Sequence, residues 1–172
     1  MKSFKNAVLF VIALFLSINA MAQTTKDIVD VAAGSKEHTT LVQAIKAADL
    51  VNTLKSEGPY TVFAPTNNAF GKLPSGTVDN LLKPENKSKL AGVLTYHVVE
   101  GNLDAKAIMA VITNGGDKAT LTTVAGGMLT ATVVNGKVVL TDEKGDMTVI
   151  ATDLKATNGV IHVIDNVLLS KK

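Results

Sequence analysis

The hydrophobic pattern divides the chain into a helical first half and a strand-rich second half. Residues 40–54 carry apolar side chains at intervals of three and four, beginning with Leu41 and Ile45, and this spacing predicts an amphipathic helix. Thr40 and Gln43 have the spacing of a capping box, in which side chains satisfy the free N–H groups at a helix start. Three further helices are predicted at residues 26–33, 84–96 and 104–111.

In the second half, apolar and polar residues alternate, and this period of two predicts β-strands. Residues 128–134 place alternate side chains on opposite faces, and Asn135-Gly136 separates them from a second run at residues 137–141. An Asn-Gly pair between two such runs predicts a tight hairpin, because both turn positions require positive φ. The mostly apolar residues 160–169 predict a central final strand that is covered on both faces. Helices followed by strands, without a repeat or a linker, predict one α+β domain.

The first 22 residues have the composition of an export signal. Lys2 and Lys5 precede an apolar run at residues 7–18, and small residues at Ala20 and Ala22 suit signal peptidase. The apolar run is shorter than the roughly 20 residues that a membrane-spanning helix needs. We therefore expect residues 1–22 to be a cleaved signal peptide. Residues 23–172 are expected to form one domain in the periplasm or outside the cell, with no membrane span.

Removal of the signal leaves a balanced charge. The chain has 17 basic residues, all of them lysine, and 15 acidic residues. Two of the lysines lie in the signal, so the charges of the remaining chain cancel. Arginine, which reads phosphate and guanine through two parallel hydrogen bonds, is absent from the sequence. These observations argue against nucleic acid as a partner, since such partners select for a basic surface.

The sequence contains no set of residues with catalytic or metal-binding spacing. It has no cysteine, which excludes disulfides and thiolate ligands. His38, His97 and His162 lack the short spacing that places two imidazoles on one helix face. The acidic residues 142–146 lack the spacing of a calcium loop and are expected to form a solvated turn. A triad assembled from distant residues stays open, but the expected protein is not an enzyme and has no cofactor.

Two segments carry the most specific information, and both are interpreted as structural. The first is a strand followed by a corner: Thr61, Val62, Phe63, Ala64, Pro65, Thr66 and Phe70. Pro65 ends the strand because it has no N–H to donate, and Thr66 offers a hydroxyl group that caps a short helix. The second is a turn followed by a buried strand: Asn158, Gly159, His162 and Asp165. We expect His162 to be a hydrogen-bonded core histidine.

Three motifs in this order resemble the signatures of the fasciclin domain family. The segment beginning at Tyr60 is similar to the first signature, and the segment beginning at Asn158 is similar to the second. Between them, Tyr96-His97 is similar to the Tyr-His motif of the family. The resemblance implies a wedge of two β-sheets flanked by several short helices. It also implies a non-catalytic adhesion or binding module whose partner is a cell-surface or matrix protein or glycan.

Four residues are candidates for partner binding: Tyr96, His97, Asp153 and Leu154. Tyr96 and His97 either contact a partner at the end of a helix, or pack and bond to backbone where a helix meets a strand. Asp153-Leu154 falls where vertebrate matrix relatives carry an Asp-Ile element that binds integrin. Lys155 replaces an apolar neighbour there, so the alternative interpretation is a solvated turn, and integrin binding is not carried over.

The second functional hypothesis is a carrier of an apolar small molecule such as a carotenoid, because some algal relatives of this family bind carotenoids. A groove between the sheets and flexible methionine side chains would favour such a role. The methionines concerned are Met109, Met128 and Met147, which also fit an ordinary core. The aromatic residues that follow the signal are few for a pigment pocket: Tyr60, Phe63, Phe70 and Tyr96.

Overall fold

Residues 25–145 and 147–171 are described in the computed structural model of the chain, and the expected signal peptide at residues 1–22 lies outside them. The described residues form helices and strands in both halves of the chain. The helices are α1 (Ile28–Ala33), α2 (Thr39–Ala47), α3 (Val51–Lys55), α4 (Asn67–Gly71), α5 (Thr77–Leu81), α6 (Lys87–Tyr96) and α7 (Ala105–Asn114). The strands are β1 (Tyr60–Pro65), β2 (Val98–Glu100), β3 (Lys118–Thr122), β4 (Met128–Val134), β5 (Lys137–Thr141), β6 (Met147–Ala156) and β7 (Gly159–Ile164).

The strands lie side by side in the order β2-β1-β7-β6-β5-β4-β3. β1 runs parallel to β7, and the other neighbours are antiparallel. β6 pairs with β5 through residues 147–149 and with β7 from Ile150 onwards, and its register shifts between Ile150 and Thr152. A bridge between Val99 and Thr123 links β2 to the segment after β3. The strands thus form a three-stranded and a four-stranded sheet, which is the predicted α+β wedge.

The two faces of the central strands β1 and β7 are covered by different cores. Val62 and Ile161 pack in a cluster with α1, α2 and α3, whereas Phe63 and Ile164 pack with α7 and the three-stranded sheet. Because neighbouring strand residues point to opposite faces, both strands are buried on both sides. The prediction of a central final strand is therefore confirmed, but the strand ends at Ile164 instead of continuing to residue 169.

The predicted helix at residues 40–54 is in fact two helices, α2 and α3. Asp49 lies between them with a φ of 60°, in the left-handed region that stops a helix. The chain changes direction there, and Ile45 of α2 and Leu54 of α3 both reach the same core. The apolar spacing alone does not reveal this break, because both halves keep a helical period.

The capping box predicted for Thr40 and Gln43 is wrong, since no side-chain cap from its own segment serves the start of α2. Asn67 of α4 supplies the cap from a distant part of the chain. Its Oδ1 accepts hydrogen bonds from the Thr40 N–H at 3.0 Å and from the Thr39 hydroxyl at 3.1 Å. Its Nδ2 donates to the Lys36 carbonyl at 2.9 Å, so Asn67 ties α4 to the entry of α2.

The helix predicted at residues 84–96 begins with a 3₁₀ turn at Pro84–Asn86 and is α-helical from Lys87. Local rules hold at several other predicted elements. Thr66 accepts a hydrogen bond from the Ala69 N–H at 3.2 Å and so caps α4 as predicted. The helices predicted at residues 26–33 and 104–111 are present as α1 and α7, with aspartate caps at Asp27 and Asp104. The hairpin turn is also confirmed. Its two turn residues have positive φ: Asn135 and Gly136.

Candidate binding surfaces

His97 is buried, with 2% of its surface exposed, at the junction of α6 and β2. Its Nδ1–H donates to the Val93 carbonyl at 2.8 Å, and its Nε2 accepts a hydrogen bond from the Leu168 N–H at 2.9 Å. Both bonds require the neutral ring with the proton on Nδ1. Burial lowers the pKa of His97 from 6.5 to about 4, because the charged ring would lose its hydration.

Tyr96 is also buried, with 1% of its surface exposed. Its hydroxyl donates to the Met128 carbonyl at 2.9 Å and accepts from the Glu143 N–H at 3.2 Å. A Cβ atom added at Gly127 would lie 2.4 Å from Cε2 of the ring, so this glycine is required by packing against the tyrosine. Of the two interpretations of Tyr96-His97, contact with a partner is therefore corrected, since both side chains are buried. Their side chains pack and bond to backbone, as in the alternative interpretation.

The other two histidines are buried as well. Nε2–H of His162 donates to the Leu103 carbonyl, and its ring stacks on Phe63 with centroids 5.5 Å apart. Nδ1 of His38 lies 2.9 Å from the Ser35 hydroxyl. Burial lowers the pKa of both rings. Within the described part of the chain, no group of three or more histidine and acidic side chains is placed to hold a metal ion.

The signature residue Thr61 joins β1 to the segment before α7. Its hydroxyl donates to the Gly101 carbonyl at 2.7 Å and accepts from the Leu103 N–H at 2.9 Å. The side chain is fully buried, and both of its hydrogen bonds are to backbone that lies outside any helix or strand. Thr61 therefore satisfies polar groups that burial would otherwise leave unpaired.

Asn158 connects three elements through one side chain. Its Oδ1 accepts from the Ile28 N–H at 3.0 Å, and its Nδ2 donates to the carbonyls of Leu54 at 2.8 Å and Ser56 at 3.1 Å. Gly159 lies so close to β1 that an added Cβ would be 1.9 Å from the Tyr60 carbonyl oxygen. The first two residues of the second signature, Asn158 and Gly159, are therefore both required by the packing of the fold.

The expectation that residues 142–146 form a solvated turn is only partly correct, because two of the acidic side chains bond to backbone. Asp142 is buried, and its Oδ2 accepts from the Leu169 N–H at 2.9 Å. The Glu143 carboxylate accepts from the Met128 N–H and from the Lys171 N–H, both at 3.2 Å. These bonds and the Leu168–His97 bond hold the residues after β7 against the wedge. Asp165, by contrast, is exposed, and its carbonyl accepts from the Lys72 ammonium group at 2.6 Å.

Asp153 and Leu154 are exposed on β6, as a binding role would require. They point to opposite faces, because successive strand residues alternate. Asp153 pairs with His162 and lines a groove beside α7, whereas Leu154 pairs with Ile161 on the other face. The structure therefore does not bring these two side chains together in one patch, and it leaves almost none of the Tyr96 and His97 surface exposed.

A surface that the sequence did not single out lies on the solvent side of the three-stranded sheet. Cross-strand pairs place its side chains in rows: Thr122 opposite Met128, and Thr120, Thr130 and Thr141 in line. We call this surface the outer sheet face, and define it by the following residues: Lys118, Thr120, Thr122, Met128, Thr130, Thr132, Val134, Lys137 and Thr141. The register also places Val139 on this side of the sheet, opposite Thr132, but Val139 is buried. Alternation within residues 128–134 hinted at such a face, but the pairing register was needed to assemble it.

The outer sheet face has threonine hydroxyl groups at its centre and one apolar side chain at each end of β4. Met128 is 58% exposed and Val134 is 41% exposed. Its charged members, Lys118 and Lys137, are both positive and lie at the end where β3 begins and the β4–β5 hairpin turns. The defining residues include no acidic side chain, and the Glu143 carboxylate lies beside the face, where it accepts from the Met128 N–H at 3.2 Å.

The fold and the signature geometry agree with comparisons to known proteins. The sequence profile described as the fasciclin domain matches residues 36–170. Protein sll1483 of Synechocystis sp. is 51% identical over 150 residues, which cover 87% of this chain and 77% of that protein. Immunogenic protein MPB70 of Mycobacterium bovis is 36% identical over 159 residues, covering 89% of this chain and 72% of that protein. The chain belongs to the fasciclin domain family.

A solved structure shows the same fold. It is the structure of a FAS1 domain pair from the insect cell adhesion molecule fasciclin I, with a TM-score of 0.60 and 23% sequence identity. The match covers 73% of this chain and 43% of the solved chain. The resemblance to the family and the α+β wedge are therefore both confirmed. None of the described helices has the length and apolar character needed to cross a membrane.

Proposed function

We propose that this protein is an exported, non-catalytic adhesion module that binds a cell-surface or matrix partner through the outer sheet face. The carrying observation is a regular sheet surface of threonine and lysine side chains that leaves Met128, at 58%, and Val134, at 41%, exposed at the two ends of β4. Large apolar side chains held exposed on an ordered surface are candidate contacts for a partner. Family membership supports the class of function, since the fasciclin domain occurs in an insect cell adhesion molecule.

The non-catalytic part of the proposal rests on the histidines. His38, His97 and His162 are the residues best suited to general acid–base chemistry at neutral pH, and all three are buried. Burial lowers the pKa of each ring, and two of the rings are bonded to backbone. A residue held in this way supports the fold and has no route to a substrate.

The chemistry of the outer sheet face describes its partner. Methyl groups of threonine, valine and methionine offer apolar contact, and the threonine hydroxyls donate and accept hydrogen bonds. Lys118 and Lys137 add positive charge at one end. The matching partner is a protein or glycan that presents an apolar and hydroxyl-rich surface bordered by acidic groups.

Adhesion of protein-coated beads to cells of the source organism tests this proposal. The informative variant is Met128→Glu, because the Met128 side chain is exposed and only its backbone bonds to Tyr96 and Glu143. We expect bead attachment to fall about tenfold if Met128 is a central contact. Asn68→Glu is the matched control, since Asn68 is exposed on α4, outside the outer sheet face. Equal attachment by all three proteins would refute the outer sheet face as the contact surface.

Export is tested separately. Residues 1–22 are expected to be removed in a bacterial host, so the protein recovered from the periplasm or medium should begin at Gln23. Intact mass and amino-terminal sequencing measure this directly. Full-length protein retained in the cytoplasm would contradict export. That result would not affect the bead assay, which tests the outer sheet face independently.

The second hypothesis from the sequence is a carrier of an apolar small molecule such as a carotenoid, and the described residues do not favour a carotenoid. A mainly apolar cleft has a volume of about 530 Å³, and Tyr96 is the aromatic residue among its lining side chains. Visible absorbance of the protein purified from its native source would decide the question, since a colourless protein that takes up no added carotenoid excludes that role.

A further inference from the structure

A cleft of about 530 Å³ lies between α5, α6 and the segment after β7. Aliphatic side chains line its walls, chiefly Leu81, Val93 and Leu169, and all three are only half-buried. Its size falls within the range of small-molecule sites in proteins, which are mostly apolar with a few polar groups. We call it the α6 cleft.

Gly92 opens onto this cleft from the middle of α6. Glycine is unfavourable inside a helix, because it loses more backbone freedom on folding than alanine does. Packing does not require it, since a Cβ added at Gly92 would meet no atom within 4 Å. The backbone does not require it either, as its φ is not positive. Gly127, also in the cleft, is different, because a Cβ there would strike Tyr96.

Neither packing nor backbone conformation therefore requires a glycine at position 92, and the space above it is open. A binding site explains such a glycine, because any side chain there would project into the α6 cleft. The half-buried aliphatic walls match a hydrocarbon group, whose transfer from water is favourable in proportion to the area covered.

The charged side chains that line the α6 cleft indicate the charge of the ligand headgroup. Lys89 and Lys144 line it, and neither forms an ion pair with another described residue. Glu143 is the acidic residue in the lining, and its carboxylate already accepts hydrogen bonds from the N–H groups of Met128 and Lys171. Two lysines against one carboxylate give the lining an excess of positive charge, which favours an anionic ligand group.

We propose that the α6 cleft binds a single-chain amphiphile, with the hydrocarbon tail over Gly92 and an anionic headgroup between Lys89 and Lys144. Carboxylate and phosphate headgroups share this chemistry. The site is independent of the outer sheet face, and neither proposal depends on the other.

Calorimetric titration of the purified domain with dodecanoate, below its micelle concentration, tests the proposal. We expect saturable binding to one site, and shifts in the NMR methyl signals of Leu81, Val93 and Leu169. Dodecyl phosphate, in a second titration, distinguishes the two headgroups. Dodecyltrimethylammonium has the same tail with a cationic head and should bind at least about tenfold more weakly. Absence of saturable dodecanoate binding, or equal affinity for the ammonium compound, would overturn the proposal.

Two variants locate the site. Gly92→Leu fills the space, and we expect it to weaken dodecanoate binding about tenfold or more while the thermal midpoint stays the same or rises, because leucine favours a helix. Lys89→Glu combined with Lys144→Glu should weaken binding similarly. Lys46→Glu combined with Lys83→Glu changes the net charge equally at exposed positions outside the cleft and should leave binding unchanged. Wild-type affinity in Gly92→Leu would place the ligand elsewhere and refute the α6 cleft.

Discussion

The imidazole of His97 accepts a hydrogen bond from the backbone N–H of Leu168, with Nε2 and N 2.9 Å apart. These residues lie 71 positions apart in the chain, at the end of α6 and in the segment that follows β7. The bond gives that segment a buried partner where the sheet pairing has ended. It also makes the attachment depend on the protonation state of one ring, because a protonated Nε2 has no lone pair to accept.

This dependence predicts acid sensitivity. The unfolded chain takes up a proton on His97 as the pH falls below about 6.5, whereas the folded protein takes it up only near pH 4, so stability falls across that interval. At 1.4 kcal/mol per pH unit, the expected loss is about 3 kcal/mol. His38 and His162 act in the same direction, since burial lowers their pKa values too. Urea unfolding at several pH values from 7 to 4 measures the effect.

The matched variant for this experiment is His97→Gln. Its amide oxygen reaches towards the Leu168 N–H but does not titrate. We expect the variant to be less stable than the wild type at pH 7, because the bond to Val93 is lost. Its stability should fall less steeply between pH 6.5 and 4. An identical slope in both proteins would show that His97 is not responsible.

Asn158 offers a second test. Replacement by alanine removes three hydrogen bonds, to Ile28, Leu54 and Ser56, and leaves their backbone groups unpaired. We expect Asn158→Ala to lower the free energy of unfolding by about 2 kcal/mol, since the Ile28 N–H and the Leu54 carbonyl are partly buried and each costs about 1 kcal/mol when unpaired, whereas the Ser56 carbonyl can bond to water. Asn52→Ala is the control, because Asn52 is exposed on α3. A loss below about 1 kcal/mol at Asn158 would contradict its connecting role.

The cap of α2 gives a prediction with opposite expectations for two residues. Asn67→Ala removes the side chain that caps α2 and should cost about 1–2 kcal/mol. Gln43→Ala should change stability by less than about 0.5 kcal/mol, because Gln43 is exposed and caps nothing in the structure. Chemical denaturation of both variants measures the difference. A larger loss of stability in Gln43→Ala than in Asn67→Ala would support the local capping box instead.

The two tyrosines of the chain form a natural comparison. Tyr96→Phe leaves the Met128 carbonyl and the Glu143 N–H without their buried partner, and we expect a loss of about 2 kcal/mol. The Tyr60 hydroxyl lies 3.2 Å from the Ser56 hydroxyl at an exposed site, so Tyr60→Phe should cost less than about 0.5 kcal/mol. Thermal unfolding of both variants tests this, and equal midpoints would mean that the Tyr96 bonds contribute nothing net.

Much of the fold could be predicted because its signals are local. Thr66 caps α4 by accepting from the Ala69 N–H, only three residues further along the chain. Asn135 and Gly136 both adopt the positive φ that their turn requires. The apolar run around Ile161 predicted a strand covered on both faces, and the structure confirms it. The break at Asp49 was missed because the apolar period continues across it.

The candidate site was harder to predict, because exposure is a tertiary property. Tyr96-His97 has polar atoms that suggest a contact surface, yet the helix-to-strand junction buries both side chains. Asp153-Leu154 is adjacent in sequence but divided between two faces by strand alternation. The outer sheet face requires the register of three strands, and the α6 cleft requires the position of a helix relative to the segment after β7.

The sequence by itself determined the family, the order of most helices and strands, and the local caps and turns, because those depend on residues within a few positions of one another. The tertiary structure alone decided which polar side chains are structural and which surfaces are open. Asn67, Asn158 and His97 all bond to backbone far along the chain, and such pairings arise only when packing brings the segments together. A hydrogen bond between distant segments leaves no periodic or compositional trace in the sequence.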